Sequence, residues 1–390
     1  MLRFFTAGES HGKCLTGIVE GLPAGFEVDA GRINLELHRR QLGYGRGGRM
    51  QIEKDQVEFT AGIRHGRTLG SPICISIRNR DWSHWEIPMA AEPVPSGTNI
   101  RPLTRPRPGH ADLAGSLKYQ THDARNVLER ASARETAARV AIGALCKLFL
   151  RNFEIEIGSH VIAIGSVQIE RRSEDIAAGE ILAVKADSAL RCIDPETERK
   201  MMQLIDQAKT SGDTLGGVLE IVATSVPPGL GSHTQWDRKL DGRLAQALMS
   251  IPAAKAVEIG SGVAAAAIFG SEVQDEVFYD GTKKAFFRKT NRAGGTEGGI
   301  SNGSDIRTKV YMKPIPTLRK PLMSVDIVTK QPSEAAFERS DTCVVPAAAV
   351  IAETMLAIVL AQAFLEKFGG DSMSETRANF EHYCKLVSEF

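Results

Sequence analysis

The chain carries little of what ties a protein to metal, membrane or nucleic acid. Its six cysteines (Cys14, Cys74, Cys146, Cys192, Cys343, Cys384) are scattered through 390 residues without a C-x-x-C pair. That argues against a zinc site or a disulfide scaffold and fits a reducing cytosol. Charge nearly cancels, 48 Lys and Arg against 47 Asp and Glu for a formal +1, so the basic excess of a nucleic-acid binder is missing. No stretch reaches the roughly 20 uninterrupted apolar residues of a membrane span. The longest candidate, 344–365, carries Pro346, Glu353 and Gln362 and reads as a buried helix of a soluble protein. The opening MLRFFTAGESHG has no basic region followed by an apolar run, so no secretory signal is expected. The absence of G-x-x-x-x-G-K-[ST] excludes a nucleoside-triphosphate P-loop. Neither an internal repeat nor a dividing linker is visible, and residues 1–390 are expected to form one domain.

What is present is a mixture of helical and strand-like segments without strict alternation. The Ala-, Arg- and Glu-rich run 123–153 predicts one long helix with Asp123 as N-cap. A shorter helix is expected over 239–252, stopped by Pro252. A third should run from Pro346 to Lys367, apolar nearly all round and therefore internal, with Gly369 beyond it. Segments 15–22, 57–63, 72–79, 218–226, 306–314 and 322–329 read as strands. The pattern predicts an α+β class with helices layered against antiparallel sheet, not a parallel nucleotide-binding sheet. The Pro- and Gly-rich stretch 86–110 is expected to be an ordered surface or active-site loop.

The chemistry concentrates in a few short runs. Gly8-Glu9-Ser10-His11-Gly12 spells the G-x-S-x-G nucleophile elbow, but KCLTGIVEGLPAG after it is β-like where an elbow needs a helix. The alternative is His11 as acid or base in a glycine-rich turn. In 38–49 the arginines Arg39, Arg40, Arg46 and Arg49 stand without an acidic residue between Glu36 and Glu53. Gly43, Gly45 and Gly48 match G-x-G-x-x-G by letter, yet a charged helix precedes them instead of a strand, so a dinucleotide fingerprint is rejected. The run reads either as a loop folding guanidinium forks around an anion or as a solvated basic loop. Arg101, Arg105 and Arg107 repeat the theme before Gly109-His110, on a proline-stiffened loop. Arg130 and Arg134, four apart, should share a helix face, where Glu129 and Glu135 could neutralise them. Ser340, Asp341 or Thr342 could cap the third helix, or Asp341 could be delivered into a pocket as a base. The glycine-dense loop 291–303 could bring backbone N–H groups against a flat ring or a phosphate.

Taken in order, GESHG, EGLPAG, RRQLGYGRGGRM, RPGHADLAGSLKY, DARNVLERASARETAARVA, GGISNG, KPIPT and RSDTCVVPAAAVIAE resemble the motifs of the chorismate synthase family, over residues 6 to about 370. The resemblance implies a helical core sandwiched between antiparallel sheet layers, assembled as a homotetramer. It implies that 5-enolpyruvylshikimate 3-phosphate loses phosphate and a C6 proton to give chorismate, with reduced FMN required. Carried onto this chain, Ser10, Arg40, Arg46, Arg49, Arg107, Arg134 and Arg339 become expected substrate ligands. His11 would protonate the departing phosphate, His110 would donate at the N1/C2 carbonyl edge of the flavin, and Asp341 would assist proton removal. Arg130, Ala131, Ser132, Pro252, Ala253, Gly298, Lys313, Pro314, Ile315, Pro316, Thr317 and Arg339 resemble FMN-binding positions. Some relatives reduce their own flavin with NADPH; the lack of a separate oxidoreductase region in this chain points to an external reductant.

Overall fold

The computed structural model describes residues 2–48, 52–282, 284–338 and 341–390. Strands β1 (Arg3–Ala7) and β2 (Cys14–Glu20) form an antiparallel hairpin with Arg3 opposite Glu20 and Ala7 opposite Thr16. With β3 (Glu58–Ala61) and β4 (Ile73–Arg78) they make a four-stranded sheet in the order β1-β2-β4-β3. The GESHG run is therefore the turn of a hairpin; no helix follows it, and the nucleophile elbow is absent. A second sheet takes β5 (Glu156–Ile164), β6 (Val167–Gln168), β7 (Gly217–Thr224), β8 (Ala254–Ile259) and β9 (Ile306–Met312) in the order β8-β9-β7-β5-β6, again antiparallel.

Two helices lie between the sheets, and others surround them. The main ones are α1 (Ala30–Gln41), α2 (Asp112–Tyr119), α3 (Arg125–Ala131), α4 (Thr136–Arg151), α5 (Pro195–Ser211), α6 (Leu240–Met249), α7 (Val345–Phe368) and α8 (Met373–Glu389). Helix α4 packs on the first sheet, α7 on the second, and the two pack on each other. Their approach is close because Gly143 has no side chain: a Cβ there would lie 2.4 Å from Thr354 Cβ. The α+β class expected from the sequence, with a helical core between antiparallel layers, is what the structure shows. One hydrophobic core draws on residues from Leu2 to Phe368, including Leu15, Val19, Ile142, Phe149, Leu219, Val310 and Phe364. Each such fully buried side chain contributes roughly 1.5–3 kcal/mol. Helix α7 is long and apolar enough to cross a membrane, but 94% of its most apolar window is buried inside the protein.

Local expectations shift in four places. The long helix of 123–153 is interrupted: Ser132 is extended (φ −62°, ψ 140°), and a 3-10 turn, Ala133–Glu135, precedes α4. The Ser132 hydroxyl accepts from the Arg134 N–H at 3.3 Å, so a capping residue overrides the helical propensity around it. In consequence Arg130 and Arg134 do not share a face. Nor do their neighbours neutralise them: Glu129 binds His11 and Arg125, and Glu135 pairs with Arg139. Helix α7 has Val344 as N-cap with no side-chain cap, because Asp341 is engaged elsewhere. The strand expected over 322–329 spans only Met323–Val325, since Asp326 accepts from the Val328 and Thr329 N–H groups and turns the chain.

The apolar core contains one concentrated knot of charge. Glu353, fully buried on α7, accepts from Arg39 Nη2 (2.8 Å) of α1, Lys147 Nζ (2.6 Å) of α4, Ser159 Oγ (2.6 Å) of β5 and Arg191 Nη2 (3.0 Å). Burial alone would raise its carboxyl, but Lys147, Arg39 and Arg191 hold it well below the usual range. Removing one partner from such a buried cluster costs about 3–5 kcal/mol, so Glu353→Ala is expected to lower the urea midpoint sharply at pH 7. A depressed carboxylate contributes fully above its unfolded pKa of about 4.3 and less as pH falls through the folded value. The gap between wild type and variant should therefore shrink on acidification. Equal midpoints at pH 7 would remove the cluster from the stability of the fold.

Candidate active site

Several of these elements end at one cavity of about 610 Å³. The last turn of α1 delivers Arg40, which is 4% exposed. Its Nε donates to Thr136 Oγ1 (3.0 Å) and its Nη2 to the Ala133 carbonyl (2.8 Å). Nη1 lies 3.8 Å from Asp55 Oδ2 and makes no hydrogen bond among the described residues. Burial pushes the Arg40 guanidinium down to about 10, with Asp55 opposing that effect. A desolvated cation with an unused donor, in a cavity wall, is a seat for an anion.

Beyond α1 the chain turns at Gly45 (φ +87°), whose Cβ would sit 3.0 Å from Ile205 Cγ2 and 3.2 Å from Cys343 Cβ. Gly45 O accepts from the Thr342 N–H at 2.8 Å, which sews this loop to the segment leading into α7. The pairing brings Arg46 Nη1 to 2.8 Å from Asp341 Oδ2, while Asp341 Oδ1 accepts from the Gly47 N–H at 2.6 Å. Arg107 and Arg134 are held more completely. Arg107 binds Asp112 through Nε (2.8 Å) and Nη2 (3.1 Å) and Thr317 Oγ1 through Nη1 (3.1 Å). Arg134 reaches Asp55 (2.7 Å), Asn79 Oδ1 (2.8 Å) and Glu53 (3.4 Å).

Both candidate histidines line the cavity, and each rests on a buried carboxylate. His11 Nδ1 donates to Glu129 Oε1 at 2.9 Å, and His110 Nδ1 to Asp112 Oδ1 at 2.5 Å. Nε2 of either ring has no hydrogen-bond partner among the described residues, so each presents it for proton exchange. Burial would raise Asp112, but hydrogen bonds from His110 and Arg107 keep it far below the ordinary range. Glu129 is also lowered: burial opposes, and the His11 ring outweighs it.

Of the other predicted positions, Ser10, Ala131, Ser132, Pro252, Ala253, Lys313, Ile315, Pro316 and Thr317 also line the cavity. Ala253 takes φ +71°, uncommon for a residue with a side chain, and its carbonyl accepts from the Lys313 N–H at 2.9 Å. That bond joins the 252–253 turn to the 313–317 segment. Three predicted positions do not line it. Arg130 donates to the Thr6 and Gly8 carbonyls, Pro314 lies between lining residues, and Gly298 sits in the turn between Thr296–Glu297 and Ile300–Ser301. Arg49 and Arg339 lie outside the described residues. Sequence reasoning missed Trp85, Lys255 and Glu338 in the wall and Glu129 and Asp112 behind it. Only Asp112 left a trace, as His-x-Asp two residues after His110.

Ile251, Val344, Ala347, Ala348 and Ile351 add apolar side chains to the cavity wall. What the cavity is fitted for is proton transfer on a small molecule carrying several negative charges, and the fold around it has known relatives. A chorismate synthase profile matches residues 2–365. The chain is 56% identical over 392 residues to the chorismate synthase of Solibacter usitatus, covering 100% of both chains. It is 56% identical over 395 residues to that of Aquifex aeolicus, covering 100% of this chain and 99% of the other. A crystal structure of chorismate synthase superposes with a TM-score of 0.81 at 46% identity, over 100% of this chain and 99% of that one. The chain belongs to the chorismate synthase family. Independently of that, pyrophosphate is expected to raise the melting temperature of the wild type, and Arg40→Ala to show a smaller rise. Loss of hydrogen bonds to a charged group weakens binding by about ten- to a hundredfold. Equal shifts in the two proteins would exclude Arg40 from anion binding.

Proposed function

We propose that the chain catalyses the 1,4-anti elimination of phosphate and the C6 proton from 5-enolpyruvylshikimate 3-phosphate, giving chorismate in the last step of the shikimate pathway, with reduced FMN required. The observation that carries this reading is Arg40 Nη1, a buried donor with no hydrogen bond among the described residues, sharing one cavity with His11, His110 and Asp341. A substrate with two carboxylates and a phosphate needs such donors already in place. The apolar wall, Lys313 and Thr317 fit a flat ring with a phosphate tail, and those residues would hold the flavin. When bound, reduced FMN supplies electron density toward the breaking C–O bond. The chain's own residues bind and move protons. Arg40, Arg46, Arg107 and Arg134 receive the negative groups, and Ser10 lies beside them. His11 gives its Nε2 proton to a departing phosphate oxygen, His110 presents Nε2 as a donor, and Asp341 helps take up the C6 proton.

A homotetramer belongs to the same reading, supported by apolar side chains left in water: Phe269 is 81% and Phe390 96% exposed. So does dependence on an external reductant. Anaerobic protein given 5-enolpyruvylshikimate 3-phosphate and dithionite-reduced FMN should release chorismate and phosphate. His11→Ala should slow this by roughly 10²–10⁴-fold, and undiminished turnover would take His11 out of the mechanism. Oxidised FMN with NADPH should keep its visible spectrum in the presence of the protein; bleaching would show an intrinsic flavin reductase.

A further inference from the structure

Glu129 touches no part of the cavity that the acid–base reading uses, yet it grips the His11 turn at three points. Its backbone carbonyl accepts from the Ser10 N–H at 2.9 Å, and its Oε2 from the His11 N–H at 2.9 Å. The same carboxylate accepts from ring Nδ1 at 2.9 Å through Oε1. It is 2% exposed, and Arg125 Nη1 ties it from the other side at 2.9 Å. Trp85 closes the remaining face of the imidazole, stacked at 4.0 Å with 24° between planes, and lies 4.9 Å from the Arg125 guanidinium. The indole is itself anchored through Nε1 to Asp81 Oδ2 at 3.3 Å.

An ionised carboxylate can only accept hydrogen bonds, so the nitrogen facing it must carry a proton. That leaves one neutral tautomer, Nδ1–H, and one site of proton exchange, Nε2. The stacked indole and the Nδ1–Glu129 bond hold the ring, and two further hydrogen bonds to Glu129 hold the backbone that carries it. A carboxylate that only pinned the turn would be satisfied by the His11 N–H and the Arg125 guanidinium. The third contact, to the ring, is the one that decides which nitrogen reacts.

We propose that Glu129 is a positioning residue for His11, fixing the imidazole as the Nδ1–H form so that Nε2 is the nitrogen that exchanges the proton, with Trp85 holding the ring in plane. This rests on His11 acting as the acid in the elimination proposed above. The carboxylate makes and breaks no bond: the acid is the imidazolium, protonated at both nitrogens, whose Nε2 proton passes to the phosphate oxygen as the C–O pair leaves with it, and the neutral Nδ1–H imidazole that remains stays hydrogen-bonded to Glu129.

The test uses full-length wild type, Glu129→Gln, His11→Ala and the double variant. Ring nitrogen-15 NMR of the wild type, assigned by the signals lost in His11→Ala, should show the neutral His11 protonated at Nδ1. A proton on Nε2 instead would overturn the proposal without any variant. Glu129→Gln, whose amide can donate as well as accept, should admit the Nε2–H tautomer and lower kcat by up to about a hundredfold with KM unchanged. It should cost nothing further in the His11→Ala background, because residues acting as a unit are not additive. Losses that multiply in the double variant would make Glu129 a structural residue only. Failure of the wild type to release chorismate would end the functional reading while leaving the NMR result standing.

Discussion

The carboxylate of Glu353 is the interaction on which the arrangement depends. It sits in the middle of a helix otherwise buried in apolar side chains, and it collects Arg39, Lys147, Ser159 and Arg191 from four other parts of the chain. Unpaired, such a charge in the interior is prohibitively costly; paired with three cations, it fixes where α1 and α4 stand relative to α7. Arg39 and Arg40 are neighbours on α1. Anchoring the first to Glu353 turns the second about 100° around the same helix, where it lines the cavity. The knot thus converts core electrostatics into the placement of a binding group about one residue away.

The same logic runs through the cavity wall. A cluster of arginines would repel itself and collapse outward if left alone. Asp55 and Glu53 hold Arg134, Asp112 holds Arg107, and Asp341 holds Arg46. These forks are therefore preorganised before any ligand arrives, which is where binding and catalysis gain most. Arg40 Nη1 makes no hydrogen bond among the described residues. Its depressed guanidinium shows that the fold carries a desolvation cost there, and an entering anion offsets it.

How much of this could be read beforehand follows from which forces are local. The apolar run from Pro346 to Lys367 named α7 almost to the residue, because a helix buried all round leaves an unmistakable composition. The loops carrying His11, Arg46 and His110 were visible as glycine- and proline-marked turns with charges and no local neutraliser. What stayed hidden is pairing between distant segments. In the sequence Glu129 reads as a helix-surface neutraliser of Arg130 or Arg134, and only the fold shows it bound to His11. Ser132 was overruled by the propensity of its neighbours, although Ser132-Ala-Arg-Glu135 spells a capping box. That misreading also put Arg130 on the face of Arg134, whereas its guanidinium reaches back to the hairpin carbonyls of Thr6 and Gly8.

The hairpin turn shows why a motif's spelling is weaker than its surroundings. G-x-S-x-G exposes a serine only when a strand runs into a helix, because the strained turn then points the hydroxyl outward. Here two antiparallel strands flank the same letters, Ser10 is 2% exposed, and its N–H is already spent on Glu129. The next residue, His11, lines the cavity. Its backbone and ring are bound by one carboxylate, its face by one indole, and its remaining nitrogen is left to the cavity. A tight β-turn can thus present an imidazole as firmly as an elbow presents a serine, provided that a buried acid from another element supplies the orientation.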